Sequence, residues 1–145
     1  KPLKFKNRRE MAKYYKLIRD VKKVLPISKE INRAIIETYE YLQTIPTEKG
    51  RQKHLKAVEK GLKEQYTPRM KKLSFSQGKL LIKLVDRQTH STSYELVKAF
   101  MGPFKAGFYQ TFAALFGASL KKQYDPTGDD ALTERVILMV ESGQL

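Results

Sequence analysis

The chain has 145 residues, of which 41% are hydrophobic, 30% charged and none cysteine, and its formal net charge is +14. One domain with a sizeable core fits that length and composition, which argue against disorder. The missing cysteines exclude a disulfide framework, thiolate zinc sites and thiol catalysis, and no apolar run reaches the roughly 18 residues that cross a bilayer as a helix.

In chain order, residues 1–6 read as an extended lead-in. Opening on Lys1 instead of methionine is expected of a processed or trimmed form. Met11, Tyr14, Ile18, Val21 and Leu25 recur at helical spacing, so a helix is predicted from about Asn7, with Asn7 as N-cap and Glu10 completing a capping box. Pro26 is expected to end or kink it. A second helix is predicted from Ser28 to Gln43, with Ser28 as cap and Ile31, Ile35, Tyr39 and Leu42 as its stripe. Thr47 caps a third, charged helix with one seam, Leu55, Val58, Leu62 and Tyr66, which Pro68 is expected to stop.

Ser74-Phe-Ser-Gln77 is a capping box, and the helix it opens runs to Asp86 or Arg87. Five of the six residues from Leu80 to Val85 are large and aliphatic, the pattern of a helix with neighbours on most sides. A turn is predicted over residues 88–93, then a short helix opened by Thr92 and Glu95 and closed by Gly102. After Pro103 the aromatics Phe104, Phe108, Phe112 and Phe116 fall at helical spacing, which reads as core packing instead of a base-stacking face. Asp129 or Asp130 caps a last helix holding Leu132, Val136, Met139 and Val140, ended by Gly143. The expected fold is all-α: a single domain over residues 1–145, with six or seven helices around a buried central helix. Leu80, Leu81, Leu84, Phe108, Phe112 and Phe116 are its expected core.

Charge is unevenly placed: residues 1–25 hold 10 basic and 2 acidic residues, whereas residues 127–145 hold 1 and 4. The excess lies toward the N-terminal half, and such a field attracts nucleic acid, anionic lipid or polysaccharide, or an acidic protein. Arg9, Lys13, Lys16 and Lys23 collect opposite the apolar seam of the first helix and form a candidate polyanion surface. Lys79, Lys83 and Arg87 stand four apart with Asp86 beside them, and an anion would relieve their mutual repulsion. A solvated face is the plain alternative in both cases.

His54 and His90 read as surface histidines, and Asp125, Asp129 and Asp130 as a turn and helix cap, not a calcium loop. The sequence contains no Gly-rich phosphate loop, nucleophile elbow or paired metal motif, and no helix-turn-helix signature. The residues therefore give no support for catalysis, a metal or cofactor, or specific nucleic-acid recognition.

Several strings taken together are distinctive. They are Lys1-Pro-Leu-Lys-Phe-Lys-Asn-Arg8, Val21-Lys-Lys-Val24, Phe75-Ser-Gln-Gly-Lys-Leu-Leu-Ile-Lys-Leu-Val-Asp-Arg87, Ser93-Tyr-Glu-Leu-Val-Lys98, Gln110-Thr-Phe-Ala-Ala-Leu-Phe-Gly117 and Tyr124-Asp-Pro126. The chain resembles, over nearly its whole length, a bacterial family known as a domain of unknown function, number 4294. The resemblance implies an exported protein of the Gram-negative periplasm or envelope, and carries no activity, cofactor or catalytic residue with it. Its most specific string covers Gln77, Gly78, Lys79, Lys83, Asp86 and Arg87. Two functions remain open: a non-enzymatic exported binding domain with a basic N-terminal face for an anionic partner, or a small enzyme or ligand-binding protein with an anion site at Lys79, Lys83 and Arg87.

Overall fold

A computed structural model describes residues 3–91 and 124–145, and what it describes is all-helical. Four helices are present among these residues: α1 (Arg8–Leu42), α2 (Glu48–Lys71), α3 (Phe75–Ser91) and α4 (Ala131–Glu141). The capping box at Thr92, the junction at Gly102 and Pro103, and the aromatic seam with Phe108, Phe112 and Phe116 lie outside the described residues.

The two helices expected on either side of Pro26 are one helix of 35 residues. Proline removes an N–H, so the Lys22 carbonyl loses its partner, a defect worth about 3 kcal/mol or more in a helix interior. Packing overrides it. The stripe Val21, Leu25, Ser28, Ile31, Ile35 and Leu42 keeps its phase through Pro26 and is buried throughout. Pro26 itself is exposed, so the Lys22 carbonyl faces the side where water can reach it. Ser28 is no cap. Its hydroxyl donates to the Leu25 carbonyl at 2.8 Å inside the helix, as Thr38 does to Ala34 at 2.7 Å. Pro68 is likewise internal: α2 continues to Lys71 because Met70, four residues after Tyr66, extends the seam into the core. Residues 88–91, expected as a turn, are the last turn of α3, which places His90 on a helix.

The local start signals act as their chemistry dictates. Asn7 Oδ1 accepts from the Glu10 amide at 3.0 Å, although Glu10 reaches the Lys6 amide instead of closing the box on Asn7. Thr47 caps α2 through Gly50. The Ser74–Gln77 box closes in both directions, at 3.1 and 3.2 Å. At the far end Gly143, with φ +81°, ends α4 and lets the Gln144 amide reach back to the Met139 carbonyl.

Among the described helices α1 packs against each of the other three, most extensively against α3. The core joins Val21, Val24, Ile31 and Ile35 of α1 to Leu62, Tyr66 and Met70 of α2. Leu80, Leu81, Ile82, Leu84 and Val85 of α3 complete it with Val136 and Ile137 of α4. Met11, expected on the buried stripe, is instead exposed.

Candidate functional site

The N-terminal parts of α1 and α3 lie side by side and leave an open groove of about 300 Å³ between them. Lys13, Lys16, Leu17 and Asp20 of α1 line one wall, and Ser76, Lys79, Leu80 and Lys83 of α3 the other. Asp130 and Thr133 close the end. Four lysines that the sequence assigns to separate surfaces, Lys13 and Lys16 on one and Lys79 and Lys83 on the other, thus share one groove. Arg9, Lys23, Asp86 and Arg87 do not line it.

Asp20 explains why the two helices meet there. It is buried on the inner side of α1, and its carboxylate accepts from Lys16 Nζ at 2.8 Å and from Gln77 Nε2 at 3.0 Å. Gln77 is also half of the α3 capping box, so one side chain fixes both the start of α3 and its position on α1. Burial pushes the Asp20 pKa upward, but the bonds from Lys16 and Gln77 and the charges of Lys16 and Arg19 outweigh it. The net result holds Asp20 below the usual carboxylate range. Lys16 Nζ additionally donates to Ser76 Oγ at 2.8 Å.

The α3 stripe meets a matching stripe on α4. Lys83 pairs with Asp130, and the Arg87 guanidinium forks onto both oxygens of Glu134 at 2.8 and 3.0 Å. Both pairs are offset by 47 residues, so two i,i+4 pairs are zipped in register. Glu134 Oε1 also accepts the Tyr124 hydroxyl at 2.9 Å, while buried Asp86 accepts the Tyr124 amide at 2.7 Å. The other Asp130 oxygen takes the Asp125 amide at 2.9 Å, which explains why Asp130 begins α4 without capping it through its side chain. The bond from Arg87, helped by that from Tyr124, holds Glu134 below its ordinary range despite partial burial. The bond to Glu134 in turn raises Arg87. Burial first, then Glu134, raises Tyr124.

Five residues of the string Gln77, Gly78, Lys79, Lys83, Asp86 and Arg87 therefore have a place in the fold. Gln77, Lys83, Asp86 and Arg87 hold named partners, and Gly78 is buried. Lys79 differs: it is exposed and forms no ion pair among the described residues. Lys13 across the groove is the same. So are Arg8, Arg9, Arg19, Lys22 and Lys23, which makes residues 8–23 of α1 a run of exposed cations with one ion pair, Lys16–Asp20. Sequence reasoning missed Arg8, Arg19 and Lys22 because it counted only the cations opposite the expected stripe. It missed Asp20, although an aspartate between Leu17 and Val24 on the buried side was visible.

His54 is half-buried against the Tyr41 ring, with centroids 4.6 Å apart. Asp125 and Asp130 belong to one hydrogen-bonded turn, and no group of three or more metal-ligating side chains occurs among the described residues. No helix is long and apolar enough to cross a membrane, again among the described residues.

Among the described residues, ion pairs tie α1 to α2 and α4, and α3 to the start of α4, in an all-helical domain. The chain belongs to the domain of unknown function DUF4294, which matches residues 1–139. Comparison with curated proteins and with solved structures finds no match.

The depressed carboxylates make stability depend on acid. Ordinary values for unfolded Asp and Glu are about 3.9 and 4.3. Asp20 and Glu134 lie lower in the folded chain, so their contribution is complete above those values and is lost as pH falls through the folded ones. Urea midpoints are expected to hold level from neutral pH down to about 5, then drop steeply below about 4. Midpoints unchanged down to the acid end would remove both pairs from the account.

Proposed function

We propose that the protein is a non-enzymatic binding domain whose cationic α1 face, continuing to Lys79 at the groove, contacts an anionic partner. The observation that carries this reading is the pairing pattern: the α3 cations Lys83 and Arg87 are held by Asp130 and Glu134, whereas Arg8, Arg9, Lys13, Arg19, Lys22 and Lys23 have no carboxylate partner among the described residues. Uncompensated exposed cations along one helix set up a field that draws polyanions. An exported envelope protein, as the family resemblance implies, would meet such anions in lipid headgroups and polysaccharide. The alternative, a small-anion site, has Lys13 and Lys79 facing each other across a groove of about 300 Å³ in its favour.

Binding to heparin, single-stranded nucleic acid and anionic vesicles tests the reading between about 50 and 200 mM salt. Affinity is expected to fall with salt, with a log–log slope of about −0.7 to −0.9 per neutralised phosphate on nucleic acid. Lys16 is unsuited to charge reversal because a glutamate there would face Asp20. Arg9→Glu with Lys23→Glu leaves the fold's ion pairs alone, so it should weaken binding and flatten the slope without moving the melting temperature. Absence of binding at low salt, or binding indifferent to the double reversal, would count decisively against it.

A further inference from the structure

The exposed arc of α1 carries more than charge. Met11 and Tyr15, one helical turn apart, are 41% and 59% exposed. At 100° per residue, Arg8, Arg19 and Lys22 fall on the same arc, with Lys23, Lys16 and Arg9 along its flank. Among the described residues no exposed carboxylate interrupts it: Glu10 lies on another side and accepts from the Lys6 amide, and Asp20 is buried. Tyr15 is braced edge-on by Tyr14 at 5.7 Å, and Tyr14 is buried and packs against Phe5 at 5.2 Å. A core ring thus backs an exposed one.

We propose that this arc docks the domain flat on an anionic lipid bilayer, Met11 and Tyr15 entering the headgroup interface while the surrounding cations hold headgroup phosphates. The proposal rests on the polyanion reading and narrows it. A sulfated polysaccharide offers charge but nothing apolar for Met11. The bilayer interface offers both, and it suits a tyrosine, whose ring is apolar and whose tip is wet. The cationic strip of residues 8–23 is about 24 Å long and lies within one uninterrupted helix. The apolar side of α1 is committed to the core through Tyr14, Val21, Val24 and Leu25, so the helix cannot sink. The contact is therefore shallow, reversible and salt-sensitive.

The chain contains no tryptophan, so Tyr15→Trp installs a single, selectively excitable indole at the proposed point of entry. Its emission is expected to shift to the blue with vesicles of phosphatidylcholine mixed with phosphatidylglycerol, and to stay put with phosphatidylcholine alone or with heparin. Tyr15→Ser in the otherwise native chain should reduce partitioning onto the mixed vesicles severalfold and leave heparin binding unchanged. Arg19→Gln and Lys22→Gln should each lower vesicle partitioning by about fivefold at low salt. These positions are exposed, and circular dichroism checks that each variant keeps its helix content. Heparin binding alongside a tryptophan that the mixed vesicles leave unmoved, or vesicle binding indifferent to Tyr15→Ser, overturns the bilayer proposal and leaves the polyanion reading standing. Quenching by single-stranded nucleic acid without a vesicle response also overturns it, in favour of base stacking. Binding to none of the three probes removes the polyanion reading itself.

Discussion

Leu81→Ala is expected to lower the free energy of unfolding by about 4 kcal/mol, since truncating a buried leucine loses transfer energy and leaves a cavity. Leu81 is completely buried and belongs to the cluster where α3 meets α1, the most extensive helix contact described. Fully enclosed in a cluster drawn from all four described helices, the site collapses poorly, which places the loss toward the upper half of the usual range. Against the 5–15 kcal/mol typical of a whole domain, about 4 is a large share. Urea denaturation measures it, and Leu81→Met, which conserves volume, serves as the control at under about 1.5 kcal/mol. If alanine costs no more than methionine, α3 is not packed as described.

Glu134→Gln is expected to cost about 3 kcal/mol, because it strands a charge while barely changing shape. Arg87 has only 17% of its side chain exposed and forks onto Glu134, and Tyr124 donates to the same carboxylate. The amide cannot accept both guanidinium bonds, and the residual pairing of Arg87 with Glu141 is long, at 3.7 Å. Because the damage is an unpaired cation, Arg87→Met added to Glu134→Gln should cost less than the two singles together. A coupling energy above about 1 kcal/mol in that double-mutant cycle would establish the pair. Additive losses would mean that the Arg87–Glu134 pair contributes nothing to holding α3 against α4. The variant should also soften the acid limb of the stability profile, since Glu134 is one of the depressed carboxylates behind it.

What the sequence disclosed follows the range of each interaction. Caps are local: Asn7, Thr47 and the Ser74–Gln77 box act within three residues and were legible as such. The helical period was legible too, and it places Leu80, Leu81 and Leu84 in the core. The prolines misled because a local rule was set against a longer one. Pro26 weakens one turn, but the stripe from Val21 to Leu42 stays in phase across it, and that phase was there to be read. Charge partners were the least visible part. Lys79, Lys83 and Arg87 could be seen to share a face, but a one-dimensional pattern does not say what faces it. The complementary spacing of Asp130 and Glu134 was the available signal, 47 residues away. Gln77 and Asp20, 57 residues apart, offered no such pattern.

The unbroken passage of α1 through Pro26 also sets the hydrodynamics. A 35-residue helix runs about 52 Å along its path, whereas a compact globule of this chain length is about 38 Å across. The longest molecular dimension must exceed that of the globule whatever the remaining chain does. Rotational diffusion is therefore anisotropic, slower for end-over-end tumbling than for spinning about α1. Amide vectors in α1 lie close to that axis and relax with the slow motion, while amides in the turns at residues 43–47 and 124–130 sample other orientations. In a nitrogen relaxation measurement the spine of the domain would stand apart from its connections by orientation alone, without any difference in flexibility.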